Sequence, residues 1–334
     1  MFTFLLFRIL ISISSDSIIG VWIGLEINIV SIVATFSLTN KIKIEKTLIL
    51  YFLIQRISSI LMLISVLRFS IYRNLKNWFF ILLIISIFIK IGIFPFHFWV
   101  IPIIEGLTWF NCLLLSTLQK IVPLILLFII IPPKITIRFL IINRVIASIR
   151  GLNQFSLRKI IGFSSINHLR FLTITVFISK KIFKIYFLTY LFITILAFKT
   201  FSNLNLNYLY QTLTILKNNK IVYLIIIFSV LRLAGTPPFL GFFPKIIVIL
   251  NLLELKFFIP SILILISNVI ATFFYLRITT RRLFINLRTL KTKKKYRNPR
   301  NLFPYLLMIF PFIFILWNLK LKKLSIFKIE IKRI

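Results

Sequence analysis

WFFILLIISIFIKIGIFPFHFWV, residues 78–100, is an apolar run of membrane-crossing length with a lysine in its middle and helix-breaking residues just after it. At 1.5 Å of rise per residue, about 20 residues span a hydrocarbon core ~30 Å thick. Gly92 and Pro95 follow Lys90 within that run. Proline removes a backbone donor and glycine loosens the helix, so carbonyls are freed at membrane depth. That is tolerated only inside protein or beside a wet cavity. A second run repeats the pattern, with Gly235, Pro237, Pro238 and Gly241 ahead of Lys245. Paired broken helices are the mark of a transporter-type membrane domain.

Outward from these two runs the same composition continues. Hydrophobic residues make up 60% of the chain, phenylalanine alone accounts for 38 positions, and mean hydropathy is +1.03, far outside the range of water-soluble domains. Spanning segments are expected at 2–13, 18–38, 47–66, 78–100, 112–131, 135–149, 160–178, 183–197, 221–253, 260–283 and 302–319. The expected fold is therefore all-α, a polytopic membrane helix bundle of about eleven transmembrane helices, two of them discontinuous. No long polar linker divides residues 1–334, so they form one membrane domain, with the basic loop 281–301 and the tail 320–334 at its edges. The first 15 residues lack a charged leader and a small-residue cleavage site, and read as a short first helix.

The chain carries 42 Lys and Arg against 6 Asp and Glu, a formal charge of +36. In a soluble protein that balance would suggest nucleic acid, because basic side chains neutralise phosphates. Here most basic residues lie between apolar runs, where the positive-inside rule puts them, and no nucleic-acid partner is expected. Charge counting puts the even-numbered loops and the N-terminus on the cytoplasm-like side, against which the basic tail stands as a conflict. A single cysteine, Cys112, excludes an internal disulfide, and no metal-ligand cluster or haem attachment run is visible.

An ionisable side chain at mid-bilayer costs about 2.5 to 3.5 kcal/mol on insertion scales, so each needs a partner, a wet cavity or a function. Glu26, Lys90, Lys120 and Lys245 meet that condition best. Burial weakens an ammonium's hold on its proton and a nearby carboxylate strengthens it, so one acid and three amines at similar depth can relay protons. Plainer readings stand beside this one: a static ion pair for Glu26, snorkelling for Lys90 and Lys120, and an interfacial position for Lys245. His97, aromatic-flanked after the first break, and His168, with Ser164, Ser165 and Asn167 nearby, are weaker candidates.

These residues sit in strings that together resemble NADH dehydrogenase subunit 2, the mitochondrially encoded antiporter-like subunit of respiratory complex I. The strings are WIGLEIN (22–28), KIGIFPFHFW (90–99), EGLTWFNCLLLSTLQKIVP (105–123), GLNQFSLRK (151–159), SSINHL (164–169) and GTPPFLGFFPK (235–245). The resemblance implies a polar axis through mid-membrane, with Glu26, Lys90, Lys120 and Lys245 as the family's glutamate and channel lysines. It also implies a multi-pass place in the mitochondrial inner membrane beside other membrane-arm and accessory subunits, with lipids such as cardiolipin around it. NADH, FMN, iron–sulfur clusters and ubiquinone would be bound by other subunits and none by this chain. A subunit of a multi-subunit sodium/proton antiporter and a structural membrane-arm spacer are the alternatives.

The chain departs from the family pattern at Ile101-Pro102, where the family carries Pro-Glu, and at Arg56, Arg150, Arg170 and Arg232, where it carries Gly, Ala or Ser. Two readings of the arginines stand. Either this lineage tolerates them through snorkelling or lipid phosphates, or several of them are AGA and AGG codons that invertebrate mitochondria decode as serine. Only 3 methionines in 334 residues, with abundant isoleucine, fit the second reading, since mitochondrial ATA codons would be rendered the same way.

Overall fold

The computed structural model describes residues 9–15, 17–37, 42–71, 76–93, 95–130, 148–212 and 220–284. The expected span 302–319, most of 135–149, most of 2–13, most of the basic loop 281–301 and the tail 320–334 lie outside them. Among the described residues, 7 helical stretches are long and apolar enough to cross a membrane. The helices are α1 (Ile18–Ser37), α2 (Ile42–Ile71), α3 (Lys76–Ile91), α4 (Val100–Gly106), α5 (Trp109–Ser116), α6 (Ile121–Ile130), α7 (Leu157–Ile178), α8 (Lys180–Asn203), α9 (Lys220–Ala234), α10 (Phe242–Glu254) and α11 (Phe258–Phe284). Strand-like pairing among the described residues is confined to one bridge, Ser156 with Tyr208, which ties the start of α7 to the turn after α8.

The bundle is organised around α7, which packs against α4, α6, α8, α10 and α11. It is 89% buried, against 39% for α1 and 33% for α11, so it is the central post of the domain. Its sequence explains that position. Water supplies no drive for helices to associate within lipid, so close approach of small residues must do it. Gly162 meets Ile101 and Ile104 of α4, where an added Cβ would sit 3.1 and 3.3 Å from their Cδ1 atoms. The hydroxyls of α7 are satisfied on its own backbone: Ser164 donates to Ile161 O at 2.7 Å, Ser165 to Gly162 O at 2.8 Å and Thr175 to Leu172 O at 2.7 Å. A hydroxyl-rich helix can therefore be buried without leaving donors unmet. At its N-terminal end Lys159 pairs with Glu105 of α4 at 2.9 Å.

The two expected interruptions are present. The first separates α3 from a 3-10 turn at Phe96–Trp99, and Gly92 takes φ +78°, a left-handed conformation that closes α3. The second separates α9 from α10, and Gly235 closes α9 at φ +68°. The sequence reading takes 112–131 as continuous, but the structure breaks it too. α5 ends at Ser116, a 3-10 turn follows at Leu118–Lys120, and α6 begins at Ile121. Pro123 is the physical reason. It has no N–H to give to the Gln119 carbonyl, so an α-helix cannot run through that point unchanged, whereas the first turn of a new helix accepts it without loss.

Candidate functional site

Each break leaves carbonyls at the end of a helix without backbone donors, and in a membrane these must find side chains. At the first break the Trp99 indole donates to Ile89 O at 3.1 Å, beside the Gly92 N–H at 3.2 Å, and Gln55 Nε2 donates to Lys90 O at 3.4 Å. At the second, the Tyr190 hydroxyl donates to Ser116 O at 3.0 Å. At the third, Lys245 Nζ donates to Ala234 O at 2.6 Å, and His168 Nε2 lies 3.2 Å from Leu233 O. The three lysines chosen from the sequence fall at these same places. Lys90 is the penultimate residue of α3, Lys120 ends the 3-10 turn of the second break, and Lys245 lies in the first turn of α10. All three are buried, with 6%, 4% and 8% of their surface exposed, which removes snorkelling as an account within this chain.

The surroundings of the amines differ. Lys90 Nζ has no hydrogen-bonding partner among the described residues, and a buried ammonium in that state calls for ordered water. Lys120 Nζ donates to Ser165 Oγ at 3.3 Å, and that hydroxyl in turn donates to Gly162 O, so the serine serves both groups. Lys245 Nζ lies 5.8 Å above the Phe171 ring as well as on the Ala234 carbonyl.

Glu26 lies on α1 and pairs with Arg56 Nη1 of α2 at 2.7 Å. Two residues on, Asn28 and Gln119 exchange both amide hydrogen bonds at 3.4 Å, which fastens α1 to the turn that carries Lys120. His97 is 1% exposed, with Nε2 3.0 Å from Arg150 Nη1. His168 is 4% exposed and joins the Lys245 end of the site through the neighbouring carbonyls of Leu233 and Ala234. The structure thus brings Lys120, His168 and Lys245 together around α7, and places Glu26 on α1 and Lys90 on α3, the two helices that pack on either side of α2. Asn28–Gln119 is the bridge between the two groups.

Several of these partners were passed over in the sequence. Gln55 and Tyr190 are common residue types, and nothing in their spacing singles them out. Asn28 and Gln119 carried a usable signal, since each is an amide within two residues of a selected charge. Glu105, exposed and paired with Lys159, has the surface role that its position near a helix end suggests.

Residues 15–274 match the family described as NADH:quinone oxidoreductase/Mrp antiporter, TM. The fold resembles a chain of respiratory complex I from Thermus thermophilus at a TM-score of 0.77 and 18% identity, covering 92% of this chain and 74% of that one. It also resembles a chain of the Mrp complex from Dietzia sp. DQ12-45-1b at a TM-score of 0.71 and 13% identity, covering 82% and 58%. Broken helices carrying buried amines, in this fold, define an antiporter-like membrane subunit. Over 289 residues the chain is 37% identical to NADH-ubiquinone oxidoreductase chain 2 of Anopheles gambiae, covering 84% of each. The chain belongs to the NADH-ubiquinone oxidoreductase chain 2 family.

Proposed function

We propose that this chain is a proton-translocating membrane-arm subunit of NADH:ubiquinone oxidoreductase in the mitochondrial inner membrane. The observation that carries the reading is the coincidence of three buried lysines with three helix breaks. A break supplies carbonyls freed from the helix ladder, and a lysine beside it supplies a group that can hold or release a proton. Glu26 sets the charge state of Lys90, Lys120 continues the path through the Ser165 side of α7, and His168 with Lys245 forms its far end. His97 serves the rim of the first break. Quinone reduction elsewhere in the complex supplies the energy, and the redox cofactors belong to neighbouring subunits.

A sodium/proton antiporter subunit would share the broken helices, so the test must separate the two activities. The chain is expected to co-migrate on native gels with rotenone-sensitive NADH:ubiquinone activity. Sodium-dependent transport in membranes that do not oxidise NADH would overturn the assignment.

The same reading takes several of positions 56, 150, 170 and 232 as serine in the protein itself. Arg170 is 1% exposed and Arg232 5% exposed in apolar helices, and Arg150 faces a histidine nitrogen. With serine at 56, the Glu26 carboxylate is left to act on Lys90 instead of being held by a guanidinium. Peptide mass spectrometry across positions 150 and 170 is expected to return serine masses, and arginine masses at both would sink this part of the reading.

A further inference from the structure

His168 has a polar group at each ring nitrogen: the Leu233 carbonyl 3.2 Å from Nε2 and the Tyr186 hydroxyl 3.1 Å from Nδ1. A carbonyl oxygen can only accept, so Nε2 carries the hydrogen. In the neutral ring Nδ1 then accepts, and the Tyr186 phenol is the donor. Tyr186 is 1% exposed and held in place by stacking on Phe171, with centroids 5.6 Å apart and planes 21° apart. Phe171 lies one turn beyond His168 on α7 and is the ring over which Lys245 Nζ sits. Tyr190, one turn along α8, completes the enclosure with its ring centroid 5.1 Å from that of His168. The imidazole, the phenol and the Lys245 amine thus share one packed aromatic cage at the third break.

We infer that Tyr186 is the positioning residue of His168. Its phenol fixes the imidazole as the Nε2–H tautomer against the freed Leu233 carbonyl. A second ring proton has only Nδ1 to occupy, and the phenol covers that nitrogen. Charging the ring therefore goes together with a turn of the Tyr186 hydroxyl from donor to acceptor. The ring takes this proton from water in the path and returns it there, and the phenol itself neither gains nor loses one. The inference rests on the reading of His168 as part of the relay.

The test uses intact complex carrying Tyr186→Phe, His168→Gln or both, with rates normalised to assembled complex on native gels. Phenylalanine keeps the stack on Phe171 and removes only the hydroxyl. Tyr186→Phe is expected to lower proton translocation about tenfold, which corresponds to the loss of roughly one hydrogen bond in the rate-limiting state. The double variant is expected to be no worse than His168→Gln alone, because Tyr186 acts through His168. A packing role would give multiplicative losses, and that result overturns the inference. So does full activity of Tyr186→Phe where His168→Gln is impaired. Full activity of His168→Gln would instead overturn the relay role of His168 and remove the ground of the inference.

Discussion

Complex carrying Lys120→Met is expected to assemble at its usual level and to lose proton translocation about tenfold or more. Methionine has nearly the length and volume of lysine without the charge, so the packing around a side chain only 4% exposed is kept. The polar group left behind is not orphaned, because Ser165 still donates to Gly162 O at 2.8 Å. Loss of a buried charge whose partner stays satisfied costs little stability, and what disappears is the ionisable group. Proton uptake by reconstituted vesicles, set against the amount of complex on native gels, separates the two effects. A structural spacer predicts unchanged translocation, and that outcome would remove Lys120 from the path.

Gly241→Ala is expected to act on the opposite side of that division, abolishing assembly before any question of transport arises. A Cβ at Gly241 would stand 2.0 Å from the Arg232 carbonyl oxygen and 3.1 Å from the Gly235 Cα. These are backbone atoms, so no rotamer change relieves the contact. Opening the third break to make room would pull the Leu233 and Ala234 carbonyls away from His168 and Lys245. The cost is on the order of 3 kcal/mol or more. Gly151→Ala is the matched control, since its nearest neighbour is the Phe274 ring edge at 3.2 Å, a side chain that can shift by tenths of an ångström. Native-gel abundance of the two variants gives the answer, and normal assembly of Gly241→Ala would mean that the break is looser than its geometry implies.

The reach of the sequence can be judged at the three breaks. Those after Lys90 and before Lys245 were legible because Gly and Pro cluster there, and their meaning in an apolar run is unambiguous. The break at Lys120 was hidden because it contains neither residue. Pro123 lies just beyond it and reads equally well as the ordinary first-turn proline that it also is. The charged members of the site, Glu26, Lys90, Lys120 and Lys245, stood out because charge in hydrocarbon is costly. Their neutral partners did not, since a serine in a membrane helix can satisfy itself on the backbone and the sequence gives no sign of where a tyrosine hydroxyl ends. The pairing of Asn28 with Gln119 spans 91 residues and depends on how α1 meets the second break. Only folding brings those two amides together.

At the first break a tryptophan and a glutamine hold the carbonyls of Ile89 and Lys90, and at the third a histidine and a lysine hold those of Leu233 and Ala234. Inside an unbroken helix, moving one carbonyl means unwinding a turn. A carbonyl fastened to a side chain can be let go by a single torsion. The three breaks are thus latches held by side-chain hydrogen bonds, and a strain on the bundle would be felt first where the three buried lysines sit.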